Sequence, residues 1–160
     1  MTLIIDGYNL LHASGVFGAE RGARGFEQSR MALLDVLVEL LGDDAANTIV
    51  VFDAAKAPNH LPQRHSHGPL QVWYARDYPD ADALIEELLE EHKSPQELVI
   101  VSSDRRIQRA ARRQRARTFS SDTWLAEQRR RQNKGTPNVD KKPPSPSPCD
   151  VEVWKQYFGL

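Results

Sequence analysis

The stretch LIIDGYNLLH, Leu3 to His12, ends a short apolar run on an acid and then turns through Gly7-Tyr8-Asn9. Leu3 to Ile5, with two isoleucines, has the make-up of a strand buried on both faces. An Asp after a strand often serves only as a helix cap, so the meaning of Asp6 depends on where the other acids fall. The same ending recurs downstream. Thr48-Ile49-Val50-Val51-Phe52 is the clearest strand and runs into Asp53, and Leu98-Val99-Ile100-Val101 runs into Ser102-Ser103-Asp104.

The segments between these strands read as helices and loops. Gly15 to Gly25 is rich in glycine and arginine and reads as a loop. Phe26 to Leu41 has helical spacing, with Phe26, Met31, Leu34, Leu37, Val38 and Leu41 as its apolar stripe and Gly42 as its stop. Ala54 to Pro69 carries three prolines and three histidines and reads as a loop or flap, followed by a third strand, Leu70 to Tyr74. Asp80 to His92 reads as a helix with an acidic outer face. An arginine-rich helix follows Asp104 to about Gln114, then a weaker fifth strand, Arg117 to Phe119. Ser120-Ser121-Asp122 offers capping side chains to a last helix, Thr123 to about Gln132. Strands alternating with helices predict a parallel sheet with helices on both faces.

At 160 residues the chain suits one compact domain with a tail. Residues 1–134 form the expected domain. Residues 135–148 (GTPNVDKKPPSPSP is their core) read as a Pro/Ser-rich linker. Residues 149–160 are an apolar, aromatic tail suited to packing on the domain or on a partner. No segment approaches the ~20 apolar residues of a membrane span, and the N-terminus lacks the basic region of a signal peptide. Cys149 is the single cysteine, so no intrachain disulfide and no Cys-rich zinc module can form. The cytoplasm is the expected location.

Ligands of an open parallel sheet bind outside the carboxyl ends of its strands. Asp6, Asp53 and Asp104 end strands, and Asp80 and Asp82 begin a helix at the same edge, so four connections deliver acid to one rim. Asp122 reads as a cap. Two carboxylates ~4 Å apart repel by about 4 kcal/mol at an effective dielectric of roughly 20. No lysine or histidine is fixed by the sequence beside each acid, so a divalent metal is the simplest neutraliser. All-oxygen ligands favour Mg²⁺ or Mn²⁺ over zinc, and such sites support phosphodiester hydrolysis. No Gly-rich phosphate loop is present, which removes nucleotide-cofactor chemistry.

Net charge is −1, so the molecule as a whole is not basic. The average hides a cluster, however. Arg105, Arg106, Arg109, Arg112, Arg113, Arg115 and Arg117 follow directly after Asp104, and Arg129, Arg130, Arg131 and Lys134 form a second group. A run of arginines beside an acidic rim suits contact with a phosphate backbone, while the acidic helix from Glu86 to Glu91 would face away from it. The His65-Ser66-His67 pair lacks a spaced third ligand for zinc and reads as a surface loop or substrate flap. Tyr8, Phe17, Trp73 and Tyr74 are aromatics able to stack bases, Trp73 reading rather as core.

IIDGYNLLH at the start, VVFDA at Val50 to Ala54, DADALIEELL at Asp80 to Leu89, VIVSSDRRIQRAAR at Val99 to Arg112 and FSSDTWL at Phe119 to Leu125 together resemble the NYN/YacP-like ribonuclease family of PIN-like nucleases. The resemblance covers Leu3 to Glu127. It implies a three-layer α/β/α sandwich with a five-stranded, mostly parallel sheet, and metal-dependent endonucleolytic cleavage of RNA, free or ribosome-associated. It also implies that Asp6, Asp53, Asp82 and Asp104 are the catalytic, metal-holding acids. Asn9 would position ligand or substrate, and Ser103 would orient Asp104 or touch phosphate; Arg105, Arg106, Arg109 and Arg112 would hold the RNA. The chain departs from the family's Thr-Ala-Asp with Asp80-Ala81-Asp82, so Asp80 competes with Asp82 for the third acidic position. A catalytically silent RNA-binding or ribosome-associated adaptor on the same fold is the alternative. A haloacid-dehalogenase-type phosphatase needs a second Asp two residues after the first, where this chain has Tyr8.

Overall fold

The structure, a computed structural model, describes residues 2–14, 23–53, 63–76 and 78–134. Six strands form one sheet: β1 (Thr2–Asp6), β2 (Thr48–Phe52), β3 (Arg64–His67), β4 (Leu70–Tyr74), β5 (Leu98–Val101) and β6 (Arg117–Phe119). Their order is β3-β4-β2-β1-β5-β6, and every pairing is parallel except β3 with β4. The helices are α1 (Gly7–Ser14), α2 (Ala23–Leu41), α3 (Ala81–Glu91), α4 (Arg105–Arg113) and α5 (Ser121–Lys134).

Alternation along the strands sorts the core into two layers. Leu3, Ile5, Val50, Phe52, Val99 and Val101 point to α1, α2 and α5, among them Leu10, Leu34, Leu37 and Trp124. Ile4, Val51 and Ile100 point the other way, to Leu84, Ile85 and Leu89 of α3 and Ile107 and Ala111 of α4. The α/β/α sandwich is therefore as expected, and its five parallel strands are those read from the sequence. Among the described residues no helix is long and apolar enough to cross a membrane.

The sheet has six strands rather than five. β3 lies inside the segment expected to be a loop, because Arg64-His65-Ser66-His67 has no apolar alternation to announce a strand. Its stabilisation comes from the partner: backbone pairing to β4, a turn at Gly68 with φ +59°, and the Arg64 guanidinium 3.8 Å from the Trp73 ring centroid.

Helix α1 was not anticipated either. Gly7 opens it because a Cβ there would lie 2.4 Å from the Phe52 ring, so the close approach of chain and ring requires glycine. Helix α2 starts at Ala23, ahead of the expected Phe26, and ends where Gly42 takes φ +55°. It is rotated from its apparent stripe: Met31 is exposed, whereas Ser29 and Arg30 are buried with Leu33, Leu34 and Leu37. The buried cation is stabilised by what it meets. Arg30 donates to the Tyr8 hydroxyl at 3.0 Å and lies 5.8 Å from the Tyr74 ring centroid.

In α5 the cap is Ser120, whose Oγ accepts from the Thr123 N–H at 3.3 Å, and Asp122 sits exposed in the first turn rather than capping. The linker 135–148, the tail 149–160, Phe17 and His60, and the side chain of Phe26, lie outside the described residues.

Candidate active site

The connection after β1 leaves through α1 and α2 on one face of the sheet, and the connection after β5 leaves through α4 on the other. Neighbouring strands whose connections diverge open a crevice at their carboxyl ends. Ile5 pairs with Val101, so the crevice receives Asp6 from one side and Ser102 to Asp104 from the other. Asp6 pairs with Val51, which brings Asp53 to the same rim two residues further along β2. Asp6 shares a strand face with Ile4 and therefore looks toward the N-terminal ends of α3 and α4.

Those two helices bring the remaining acids. Asp80 caps α3, accepting from the Ala83 N–H at 2.8 Å, and its second oxygen accepts from Arg106 at 3.1 Å. Both oxygens of Asp80 are thus engaged, and Asp82 in the first turn is the acid that meets the others. Asp104 caps α4 through Oδ1, which accepts from the Arg106 N–H at 2.8 Å. Its carboxylate lies close enough to Asp82 to raise that acid. For Asp104, capping α4 and facing Asp82 are not alternatives.

The electrostatics record the convergence. Burial pushes Asp6 up to about 6 against the hydrogen bonds from Ser102 and the Asn9 backbone, with Asp104 and Asp53 adding to the rise. Burial, then the neighbouring Asp104, push Asp82 up to about 7, and Asp6 and Asp80 add to it. Asp53 and Asp104 therefore bear on Asp6, and Asp104 and Asp6 on Asp82.

A network of small polar side chains braces the acids. The Ser102 hydroxyl, fully buried, donates to Asp6 Oδ2 at 3.0 Å and accepts from the Asp104 N–H at 3.0 Å. Asn9 Oδ1 accepts from the Ser103 N–H at 2.8 Å and from the Ser121 hydroxyl at 2.6 Å. Ser103 Oγ in turn accepts from the Ser121 N–H at 3.0 Å. In the sequence Ser102 carried no reading and Ser121 only that of a capping candidate. Serine is too common after strands and at helix starts to carry a signal, and only their hydrogen bonds distinguish these two.

The arginines divide. Arg106 crosses to α3 and binds Glu86 and Asp80, with Asp82 3.9 Å away. It is therefore the cation beside the acids, although its side chain is still half-exposed. Arg105, Arg109 and Arg112 are exposed. Tyr8 and Tyr74, considered for base stacking, are buried core, and Trp73 is half-buried beneath Arg64. Among the described residues no group of three His, Cys, Asp or Glu side chains is arranged to hold a metal ion. The donor set nevertheless fits a hard dication: four carboxylates, no thiolate or imidazole, and two acids whose raised values a bound cation would reverse.

Residues 3–151 match the YacP-like NYN domain family. The chain belongs to that family. No curated protein matches it. Its fold is similar to the crystal structure of Rae1 (YacP) from Bacillus subtilis, at 24% identity and a TM-score of 0.67, over 84% of this chain and 76% of that one. A tryptophan-to-leucine mutant of the same protein aligns at 24% identity with a TM-score of 0.55, over 99% of this chain and 92% of that one. The sheet and its helices are thus those of the YacP-type PIN-like fold. Membership of the YacP-like family suggests a nuclease-type, RNA-related function.

Proposed function

We propose that this YacP-like chain is a divalent-metal-dependent endoribonuclease, acting in the cytoplasm on RNA that is free or ribosome-associated. What supports the reading is that Asp104 and Asp53 bear on Asp6, and Asp104 and Asp6 on Asp82, both of which are held far above the ordinary carboxylate range. These four acids would hold Mg²⁺ or Mn²⁺. Bound there, the metal would supply neutralisation of the phosphodiester charge and activation of water.

The chain's own groups do the rest. Two donors fix Asn9 Oδ1, which leaves the Asn9 amide N–H groups to donate to a phosphate oxygen. Ser102 holds Asp6 and the start of α4 in one register. Asp82, raised to about 7, can hold or release a proton near neutral pH. Arg105, Arg109 and Arg112 supply backbone contacts that would weaken with salt.

A second reading, a catalytically silent RNA-binding adaptor, is favoured by one feature: Arg106 already places a cation among Asp80, Asp82 and Glu86. One experiment separates the two. Mixed RNA and DNA substrates are incubated with Mg²⁺, Mn²⁺ or chelator, beside folded Asp6→Asn and Asp104→Asn variants. The nuclease reading expects RNA cleavage that chelator and both substitutions abolish. Binding of RNA without cleavage in any metal would establish the adaptor.

A further inference from the structure

The arginines of α4 are used differently on its two flanks. Arg106 is drawn onto the acids of α3, whereas Arg105, Arg109, Arg112 and Arg113 are exposed and form no ion pair among the described residues. The basic surface continues past the helix. Arg115 takes φ +63°, a left-handed conformation that disfavours any side chain, and Arg117 stands exposed on β6.

At the end of β6 is Phe119, 42% exposed; among the described residues only it and Met31 are exposed large hydrophobic side chains. Met31 lies on α2, whereas Phe119 stands at the carboxyl end of β6 on the sheet face of Val101 and Ile5, across the rim from the face to which Asp6 looks. Its carbonyl accepts from the Ser102 N–H at 3.0 Å, and Ser102 is the residue that binds Asp6. Phe119 pairs with Val101 and Val101 with Ile5, so the ring stands two strands from the end of β1, about 10 Å at the usual strand spacing. Arg117, two residues earlier, shares its strand face.

The opposite side of the crevice is unsuited to a polyanion, since α3 carries Glu86, Glu87, Glu90 and Glu91. A single strand with a phosphate at the acids is repelled there and attracted over β6. We propose that Phe119 is a base-stacking subsite for single-stranded RNA, reached by a strand that crosses the rim from the acids, with Arg117 on the same face contacting a neighbouring phosphate. The subsite rests on the RNA reading above. It gives that site a direction: the strand leaves the acids over the β6 edge of the sheet, not over α3.

The test uses the full chain in chelator, titrated with short mixed-sequence oligoribonucleotides, comparing wild type with Phe119→Ala, Phe119→Leu and Phe119→Trp. Stacking predicts a loss of roughly 5- to 150-fold in affinity for the Ala and Leu variants. Trp should retain the affinity, and its added emission should be quenched by RNA. The dependence on salt should be unchanged in all three, whereas Arg117→Gln should lower the slope by about one. Wild-type affinity in Phe119→Leu, or Trp emission indifferent to saturating RNA, would overturn the subsite. So would unchanged affinity with a lowered melting temperature in Phe119→Ala, which would mean the ring packs on this chain. A wild-type chain that does not bind RNA at all would instead bring down the RNA reading itself.

Discussion

Helices α3 and α4 lie side by side on one face of the sheet, and each begins at the rim with a capping aspartate. Beyond that they are opposites. Asp80 has both oxygens engaged, by Ala83 and by Arg106, and the helix behind it is acidic. Asp104 gives one oxygen to its cap and brings the carboxylate against Asp82, and the helix behind it is basic. The same local motif thus leaves one capping acid bound by an arginine and the other beside a second carboxylate.

The strongest test of that distinction is the pair Asp104→Asn and Asp80→Asn, because asparagine caps as well as aspartate. Asp104→Asn should lower RNA cleavage by roughly a hundredfold or more, and Asp80→Asn should stay within a few-fold of wild type in the same single-turnover assay. Equal losses would erase the contrast between the two helices.

The next effect is one of pH. Asp6 and Asp82 are raised above the ordinary carboxylate value in the folded chain. The folded state therefore binds protons more readily than the unfolded one, and the stability this gives is full below about pH 4. It is lost as pH rises through about 6 for Asp6 and about 7 for Asp82. For Asp6 alone this amounts to roughly 3 kcal/mol. In chelator the melting temperature should fall from pH 5 to pH 8; adding Mg²⁺ or Mn²⁺ at pH 8 should restore it. Asp82→Asn should flatten the profile, and a flat wild-type profile would show that the acids do not strain one another.

Ser102→Ala removes a buried hydroxyl that serves β1 and α4 together, and leaves Asp6 and the Asp104 N–H each without that partner. A destabilisation of about 1–3 kcal/mol is expected by denaturant unfolding. The smallest effect concerns the exit of α4. Arg115→Gly relieves the left-handed φ at a gain of up to about 1 kcal/mol, net of the entropy glycine adds to the unfolded chain. A loss of stability there would mean that the arginine side chain stabilises the fold.

Local composition made the parallel frame legible. Runs such as TIVVF and LVIV read as strands buried on both faces, and acids follow within three residues, so the rim could be read before any contact was known. β3 was not legible, because RHSH gains its stability from pairing to β4 and from Trp73, both outside the segment. Nor was the rotation of α2, since a stripe count favours burying Met31 and nothing local announces that Tyr8 and Tyr74 will receive Arg30. At the site, the order Asp80-Ala81-Asp82 left two acids in competition, and only the structure shows that Asp80 caps α3 and meets Arg106.

By itself, then, the sequence determined the alternation of strands and helices, the four acids at one edge and the arginines beside one of them. Each depends on periodicity or on residues adjacent in the chain. Tertiary structure alone decided how those groups are used: that Ser102 joins Asp6 to α4, that Ser121 turns Asn9, that Arg106 faces α3, and that Phe119 stands exposed beside the crevice. The hydrogen bonds of Ser102, Ser121 and Arg106 link side chains about 20 to 112 positions apart. No local pattern encodes such pairings, because they exist only once the sheet order sets β1 between β2 and β5.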